Sequence, residues 1–331
     1  MEHVDVAVIG GGQSGLAAAH SLLCEGLRPV VLEASDAAAK SWPRYDDSLP
    51  LFTPARYRSL PGMPFPGDRD RHPHRPPGHR RTARRRRLRV GARRRRRAGG
   101  AGRGAASGTF GHPHRPALVG LDGFTGTVLH AAEYRRPKPF AGRRVVVVGA
   151  GNSAVQIAAE LSAVARVTLA SRAPVTFARQ KIAERGLHFW LRRAGLDVVP
   201  LGGLLRRPPT QLVIDGGRYR AALAQGAPDR RPVFTGIDGA KVCWTDGSRE
   251  EADAIVLATG YRPDLPYLAG LDGALDAAGR PRHRVGASAA VPGSAFVGPE
   301  WQRSLSSNSL RGVGRDVDRI ARHVAAHLRG R

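Results

Sequence analysis

Two short glycine-rich segments each follow an apolar run that is typical of a buried strand. Residues 10–15 are Gly-Gly-Gly-Gln-Ser-Gly and come directly after the apolar run 6–9, while residues 149–154 are Gly-Ala-Gly-Asn-Ser-Ala and come directly after the apolar run 145–148. Each has the spacing G-x-G-x-x-G/A at a point where a strand is predicted to turn into a helix. Small residues permit the tight turn, and the N–H groups that begin the helix can bind a pyrophosphate. The sequence therefore predicts two dinucleotide-binding turns in one chain.

The strands that follow these two turns end in side chains of opposite charge. The first ends at Glu33, whose carboxylate is suited to accept a hydrogen bond from a free ribose 2′-hydroxyl. The second ends with Ala170, Ser171 and Arg172, so that a guanidinium stands where a carboxylate would repel a 2′-phosphate. We therefore predict that the first turn binds FAD and that the second binds NADPH.

Strand and helix patterns alternate along most of the chain, which predicts an α/β fold with parallel sheets. We expect two Rossmann-like dinucleotide-binding domains, with the NADPH domain inserted into the FAD domain, because the chain must return after Gly260 to complete the FAD unit. The predicted units are residues 1–112 for the first part of the FAD domain, 113–260 for the NADPH domain with its linker, and 261–331 for the C-terminal part of the FAD domain. Apolar periodicity predicts helices over 13–26, 180–194 and 310–328.

The positive charge of the chain is concentrated in one segment. The formal net charge is +26, and residues 76–104 contain 13 arginines and no acidic residue. Leu88 and Val90 are the large apolar residues of that segment, so its composition predicts disorder. A basic insertion that binds nucleic acid is the competing interpretation, but the segment has no Phe, Tyr or Trp for stacking on bases. We therefore expect no nucleic-acid partner.

Several other classes of protein are disfavoured by what the sequence lacks. The two cysteines, Cys24 and Cys243, cannot form a C-x-x-C pair, which argues against dithiol chemistry. We expect Cys24 to be a small core residue of the first helix. No metal-ligand spacing and no Ser/His/Asp arrangement is recognisable, so we predict no metal and no catalytic side chain. No secretory signal and no apolar run of membrane-spanning length is recognisable either, so the expected compartment is the cytoplasm.

Three further segments carry a family resemblance. Residues 124–134 match F-x-G-x-x-x-H-x-x-x-Y, residues 257–261 are Leu-Ala-Thr-Gly-Tyr, and residues 60–66 are Leu-Pro-Gly-Met-Pro-Phe-Pro. Together with the two glycine-rich turns, these segments resemble the flavin-containing monooxygenases of the bacterial and plant-type branch. The resemblance covers residues 1–75 and 105–331, and the tyrosine at position 134 favours a monooxygenase over the Baeyer–Villiger branch.

The resemblance implies a reaction in which the cofactors perform the difficult chemistry. NADPH would reduce FAD, molecular oxygen would form a C4a-hydroperoxide on the reduced ring, and one oxygen atom would pass to a small substrate. That substrate would contain nitrogen or sulfur, or be a carbonyl compound or acid. Two alternatives stay open, namely an NADPH oxidase or reductase that inserts no oxygen, and a nucleotide-binding protein with impaired catalysis. The oligomeric state also stays open, with a homodimer among the states considered.

The same resemblance assigns the cofactor-binding residues. Those expected at FAD are Gly10, Gly12, Gln13, Ser14, Gly15, Glu33 and Trp42. Those expected at NADPH, or where the two domains join, are Gly126, His130, Gly149, Gly151, Asn152, Ser153, Ser171, Arg172, Thr259 and Gly260. His130 either positions NADPH or the joining segment, or is a hydrogen-bonded structural histidine.

The Arg-rich segment is the main departure from the family pattern. Members have an apolar strand before the first A-x-G, whereas residues 101–104 are Ala-Gly-Arg-Gly, which suit burial on both faces of a sheet poorly. The similarity ends at Arg75 and resumes at Ala105, and one hypothesis is therefore a shifted reading frame in a GC-rich gene. Because this segment should complete the FAD domain, we predict weaker FAD retention than in members with an intact segment.

Overall fold

The computed structural model describes residues 3–35, 39, 47, 53–54, 57–65, 90–92, 102–106, 108, 110–205 and 212–330. The strands within these residues are β1 Val6–Ile9, β2 Pro29–Glu33, β3 Val90–Ala92, β4 Gly102–Ala105, β5 Thr127–His130, β6 Arg144–Val148, β7 Arg166–Ser171, β8 Phe177–Arg179, β9 Lys181–Ile182, β10 Arg185–Gly186, β11 Val213–Asp215, β12 Asp229–Pro232, β13 Gly236–Asp238, β14 Lys241–Cys243, β15 Arg249–Glu251, β16 Ala254–Leu257, β17 His283–Arg284, β18 Ala287–Ser288 and β19 Ser294–Phe296. The α-helices are α1 Gln13–Cys24, α2 Asn152–Leu161, α3 Leu187–Arg193, α4 Arg218–Ala224 and α5 Leu310–Arg329.

One sheet carries the first glycine-rich turn at the carboxyl end of a central strand. Its order is β17-β18-β19-β4-β1-β2-β3, and β1 pairs in parallel with both β2 and β4. Helices α1 and α5 pack against each other and against this sheet. Their shared core consists of buried apolar side chains that include Val6, Val8, Leu22, Val31, Val313, Val317 and Ile320. This packing holds α1 with its N-terminus at the end of β1.

A second sheet carries the other glycine-rich turn in the same way. Its order is β12-β7-β6-β16-β5, and all of these pairings are parallel. The central strands β6 and β16 are almost entirely apolar and buried, as expected for a parallel sheet covered on both faces. The chain enters this sheet with β5, leaves it after β16 and returns to the first sheet with β17. The predicted α/β fold with parallel sheets is confirmed, while the exact limits of the domains stay a prediction.

The Arg-rich segment contributes two strands to the first sheet. β4 lies between β1 and β19, and β3 lies at the edge beside β2. The expectation of disorder over residues 76–104 is therefore wrong for β3 and β4. The physical reason is that a parallel ladder is made by backbone N–H and C=O groups, which glycine and arginine carry like any other residue. The rest of that segment lies outside the described residues.

The helix predicted over 180–194 is shorter than its apolar periodicity indicates. β9 and β10 pair as an antiparallel hairpin, and its turn residues Ala183 and Glu184 have φ angles of 45° and 59°. Left-handed backbone cannot continue an α-helix, so α3 begins only at Leu187. Cys24 also differs from its expectation, because it is exposed at the end of α1 and is not a core residue. Among the helices that the structure describes, none is both long and apolar enough to cross a bilayer.

Buried ion pairs join α5 to the segment before it and to the loop that follows α3. Arg303 contacts Asp316 at 2.6 Å, and the Asp316 side chain is only 1% exposed. Arg303 Nη1 also donates to the carbonyl of Val198 at 2.9 Å. Arg311 Nε lies 3.0 and 3.1 Å from the two carboxylate oxygens of Asp197. Separating such pairs would leave buried charges without partners, so they hold residues 197–198 firmly against the start of α5.

Candidate functional site

The first glycine-rich turn leaves the N-terminus of α1 open. Gly10 has a φ of 110°, which side chains disfavour, and a Cβ on Gly15 would overlap the carbonyl oxygen of Gly10. Gly12 immediately precedes α1 with a φ of −75°, and a Cβ there would meet no atom of the described residues within 4 Å. No side chain of the described residues caps this helix end. The first N–H groups of α1, which include those of Gln13 and Ser14, therefore stand ready for an anion.

Glu33 ends β2 directly beside this turn. Its Oε2 accepts a hydrogen bond from the N–H of Gly11 at 2.6 Å, and its Oε1 accepts from the N–H and the hydroxyl of Ser35, both at 2.9 Å. Burial raises the pKa of Glu33, but the hydrogen bonds from Ser35 and Gly11 outweigh burial and leave the pKa below its ordinary value. Glu33 is therefore a fixed carboxylate, which can accept a further hydrogen bond from a ribose hydroxyl.

A loop from the C-terminal part of the chain lies against the same turn, and the sequence did not predict it. Gln13 Nε2 donates to the backbone carbonyl of Asn308 at 3.1 Å. Gly298 has a φ of 93°, and a Cβ on it would overlap Ser14 Oγ. Gln13 and Ser14 thus use their side chains against this loop and keep their backbone N–H groups for a ligand. An isolated glycine such as Gly298 does not reveal, from sequence alone, which distant segment it approaches.

The second glycine-rich turn has the same geometry at the carboxyl end of β6. Gly149 has a φ of 148°, and a Cβ on it would overlap the carbonyl oxygen of Ala258. Gly151 precedes α2 with a φ of −87°, and a Cβ there would have no neighbour within 4 Å among the residues that the structure describes. Because β16 lies directly beside β6 and its Leu257 pairs with Val148, the residues that follow β16, Thr259 and Gly260, border the same turn. The structure therefore brings these four predicted residues together.

Two polar residues of the second turn differ in their surroundings. Asn152 Oδ1 accepts from the N–H of Ile214 at 3.2 Å, and its Nδ2 donates to the carbonyl of Leu212 at 3.4 Å. Its side chain therefore ties the start of α2 to β11. Ser153 is exposed at the same helix start, so its hydroxyl is accessible to a ligand.

Ser171 and Arg172 line a cleft of about 480 Å³ beside the end of β7. Arg230 and Arg231 from the edge strand β12 line the same cleft. Arg231 pairs with Asp229 at 3.1 Å, whereas Arg172 has no ion-pair partner among the described residues. An accessible guanidinium with unused donors is suited to a phosphate group. The sequence predicted Arg172 but missed the two arginines of β12, because their approach depends on the pairing of distant strands.

His130 is the last residue of β5 and is fully buried opposite Leu257, the last residue of β16. Its Nδ1 accepts from the N–H of Ala132 at 3.0 Å, and its Nε2 donates to the carbonyl of Gly260 at 3.0 Å. Burial lowers the pKa of His130, so the ring is neutral and carries its proton on Nε2. Since both ring nitrogens bond to the protein backbone, the geometry favours the role in which His130 fixes the turn after β16.

Gly126 lies at the opposite end of the sheet from the second turn. It precedes β5 at the amino ends of the parallel strands, whereas the turn follows Val148 at their carboxyl ends. A Cβ on Gly126 would lie 2.6 Å from the carbonyl oxygen of Asp253, so close packing explains the glycine. Gly126 therefore does not border the second turn, and a role for it at a cofactor stays a prediction. Trp42 lies outside the described residues.

Known proteins resemble this chain in both sequence and architecture. The family model described as flavin-binding monooxygenase-like matches residues 104–192. A flavin-containing monooxygenase from Stenotrophomonas maltophilia is 30% identical, and its solved structure covers 98% of this chain and 99% of its own with a TM-score of 0.78. The chain belongs to the flavin-binding monooxygenase family. An uncharacterized oxidoreductase CzcO from Bacillus velezensis is 29% identical over 97% of this chain and 99% of its own. The indole-3-pyruvate monooxygenase YUCCA1 from Oryza sativa subsp. japonica is 30% identical over 78% of this chain and 77% of its own.

As a flavin-binding monooxygenase, the chain is an oxidoreductase that requires a flavin site, and the first turn fits FAD. The open position at Gly12, the uncapped start of α1 and the fixed carboxylate of Glu33 match the pyrophosphate and the ribose of that cofactor. The predicted family and enzyme class are confirmed by these relatives.

Proposed function

We propose that this flavin-binding monooxygenase uses FAD and NADPH to transfer one oxygen atom from molecular oxygen to a small substrate. The observation that carries the proposal is the contrast between two otherwise equivalent turns. Glu33 stands beside the first as a hydrogen-bonded carboxylate, and Arg172 stands beside the second as an accessible guanidinium. The first arrangement suits a free ribose, and the second suits a 2′-phosphate.

The proposed substrate is a small compound with a nucleophilic nitrogen or sulfur atom, or a carbonyl compound or acid. The relative from rice is named for indole-3-pyruvate, a keto acid, which supports including acids in this class. When bound, the flavin supplies the electrons and the centre at which oxygen is activated. The chain itself binds and orients: α1 and Glu33 hold one nucleotide, while α2 and Arg172 hold the other.

An absorbance spectrum of the purified chain tests this proposal. We expect added FAD to bind and to give flavin bands that bleach with NADPH under nitrogen and return in air. Hydrogen peroxide formation without an oxygenated product from any tested substrate would favour the oxidase alternative. A chain that binds neither FAD nor NADPH would contradict the proposal. A full equivalent of FAD retained through purification would contradict only the weaker retention predicted from residues 76–104.

Arg172→Ala is expected to weaken NADPH binding by about 10- to 100-fold and to leave NADH binding nearly unchanged, because it removes a charged donor to the 2′-phosphate. Dissociation constants for the two nucleotides, measured by fluorescence titration, check this result. Arg166→Ala is the matched control, since Arg166 is exposed at the amino end of the same strand β7. Equal losses for NADPH and NADH in the Arg172 variant would disprove recognition of the 2′-phosphate.

A further inference from the structure

We propose that His114 and Arg262 form a second anion subsite beside the second turn and bind the nicotinamide-side phosphate of NADPH. The inference rests on the proposed use of NADPH. It differs from the role of Arg172, because the phosphate concerned is present in both NADPH and NADH.

Both residues are held at the carboxyl end of β16. The N–H of His114 donates to the carbonyl of Gly260 at 2.9 Å, and Thr259 Oγ1 donates to the carbonyl of His114 at 2.5 Å. The N–H of Arg262 donates to the carbonyl of His112 at 3.0 Å. These bonds fix the two residues at the carboxyl end of β16, which pairs with β6 on the side away from β7.

The side chains of His114 and Arg262 form a contact that lacks an acid. His114 Nε2 lies 3.1 Å from Arg262 Nη2, so the neutral ring accepts a hydrogen bond from the guanidinium. Among the described residues, no carboxylate pairs with either side chain. Of the neighbouring acids, Glu133 pairs with Arg115 at 2.6 Å, and Asp264 is an exposed side chain 4.0 Å from His112. The Arg262 guanidinium, held by a neutral ring and without a negative partner among the described residues, favours binding of an anion.

The charge on His114 depends on that anion. Burial, Arg262, Arg172 and His112 together lower the pKa of His114 in the free protein, so the ring is neutral at neutral pH. A bound phosphate would oppose these cations and raise the pKa. Binding of NADPH is therefore expected to take up a proton and to weaken as pH rises through the raised pKa.

The order of strands assigns a different phosphate to each cationic group. The turn lies at the end of β6, with Arg172 after β7 on one side and Arg262 after β16 on the other. The residue after the second strand of such a fold faces the adenosine ribose. Arg262 consequently faces the nicotinamide half, in which the nearest charged group is the second phosphate.

Calorimetric titration of the FAD-loaded chain with NADP⁺, NAD⁺ and 2′,5′-ADP tests the inference, because 2′,5′-ADP lacks the second phosphate. Arg262→Gln is expected to weaken NADP⁺ and NAD⁺ by about 10- to 100-fold and to leave 2′,5′-ADP unchanged. Arg172→Ala should show the complementary pattern, with losses for NADP⁺ and 2′,5′-ADP only. Arg166→Gln, which removes one exposed charge from the other end of β7, should leave all three ligands unchanged.

Proton uptake provides a second measurement. Titrations in buffers of different ionisation enthalpy should show protons taken up by wild type on binding NADP⁺, and much less uptake by His114→Asn. If Arg262→Gln binds NADP⁺ like wild type, or loses NADP⁺ and 2′,5′-ADP equally, the inference about this subsite is overturned but the proposed function is not. A wild-type chain that binds none of the three ligands would overturn the proposed function as well.

Discussion

Gly12→Ala is expected to weaken FAD binding by about 10- to 100-fold while the apoprotein stays almost as stable as wild type. A methyl group at Gly12 would meet no atom within 4 Å in the part of the chain that the structure describes, and the φ of −75° suits alanine. The same methyl would occupy the space through which a pyrophosphate approaches the start of α1, so charge-assisted hydrogen bonds to the backbone would be lost. Alanine instead of glycine before a helix costs about 1 kcal/mol or less. Flavin fluorescence titration and thermal denaturation of the apoprotein measure the two effects.

Gly151→Ala is the matched control for that experiment. It has the same position before α2, an extended φ of −87° and equally open surroundings. We expect it to weaken NADP⁺ and to spare FAD, which is the reverse of the Gly12 result. Gly15→Val should behave differently from both, because its side chain would overlap the carbonyl of Gly10 and disrupt folding itself. Loss of both nucleotides in Gly12→Ala and in Gly151→Ala would show that the two turns are not independent sites.

Asp316→Ala is expected to lower the free energy of unfolding by about 3–5 kcal/mol, because it leaves the guanidinium of Arg303 without its buried partner. A loss of this size is a large share of the total stability of a domain, about 5–15 kcal/mol. Arg303 also holds the backbone of Val198, so the loop after α3 should loosen with it. Urea denaturation of the apoprotein followed by circular dichroism gives the free energy directly.

Two further variants identify the cause of that destabilisation. Asp238→Ala removes an acid from an ion pair with Arg249 whose side chains are 74% and 63% exposed, and it should cost less than about 1 kcal/mol. The double variant Arg303→Met with Asp316→Leu removes both buried charges and should be more stable than Asp316→Ala. If the double variant is equally unstable, lost packing rather than an unpaired charge explains the effect.

Local signals in the sequence located the parts of the site that depend on neighbouring residues. β2 spans Pro29–Glu33 as its β-branched residues predict, and α1 begins at Gln13 directly after the glycine-rich turn. Glu33 follows its turn within one strand–helix–strand unit, so short connections suffice to place it. The same holds for Arg172 at the end of β7.

Periodicity and motifs were insufficient where the geometry of a turn or the pairing of distant segments decided the structure. The periodicity of 180–194 favoured one helix, yet the tight turn at Ala183 and Glu184 forms a hairpin before α3. Gly126 belongs to a family pattern, but only the register of β5 against β16 shows that it lies at the far end of the sheet. The contact between His114 and Arg262 likewise requires two segments that are far apart in the chain.

The sequence by itself determined that two glycine-rich turns follow buried strands and which charge stands beside each. Both properties follow from a few consecutive residues and from the steric limits of a tight turn. Tertiary structure alone decided that β4 joins the centre of the first sheet, that the loop before α5 covers the first turn, and that His114 and Arg262 flank the second. The physical reason is that hydrogen bonding between strands and packing of loops depend on the energy of the whole assembled fold, which a local stretch of sequence does not contain.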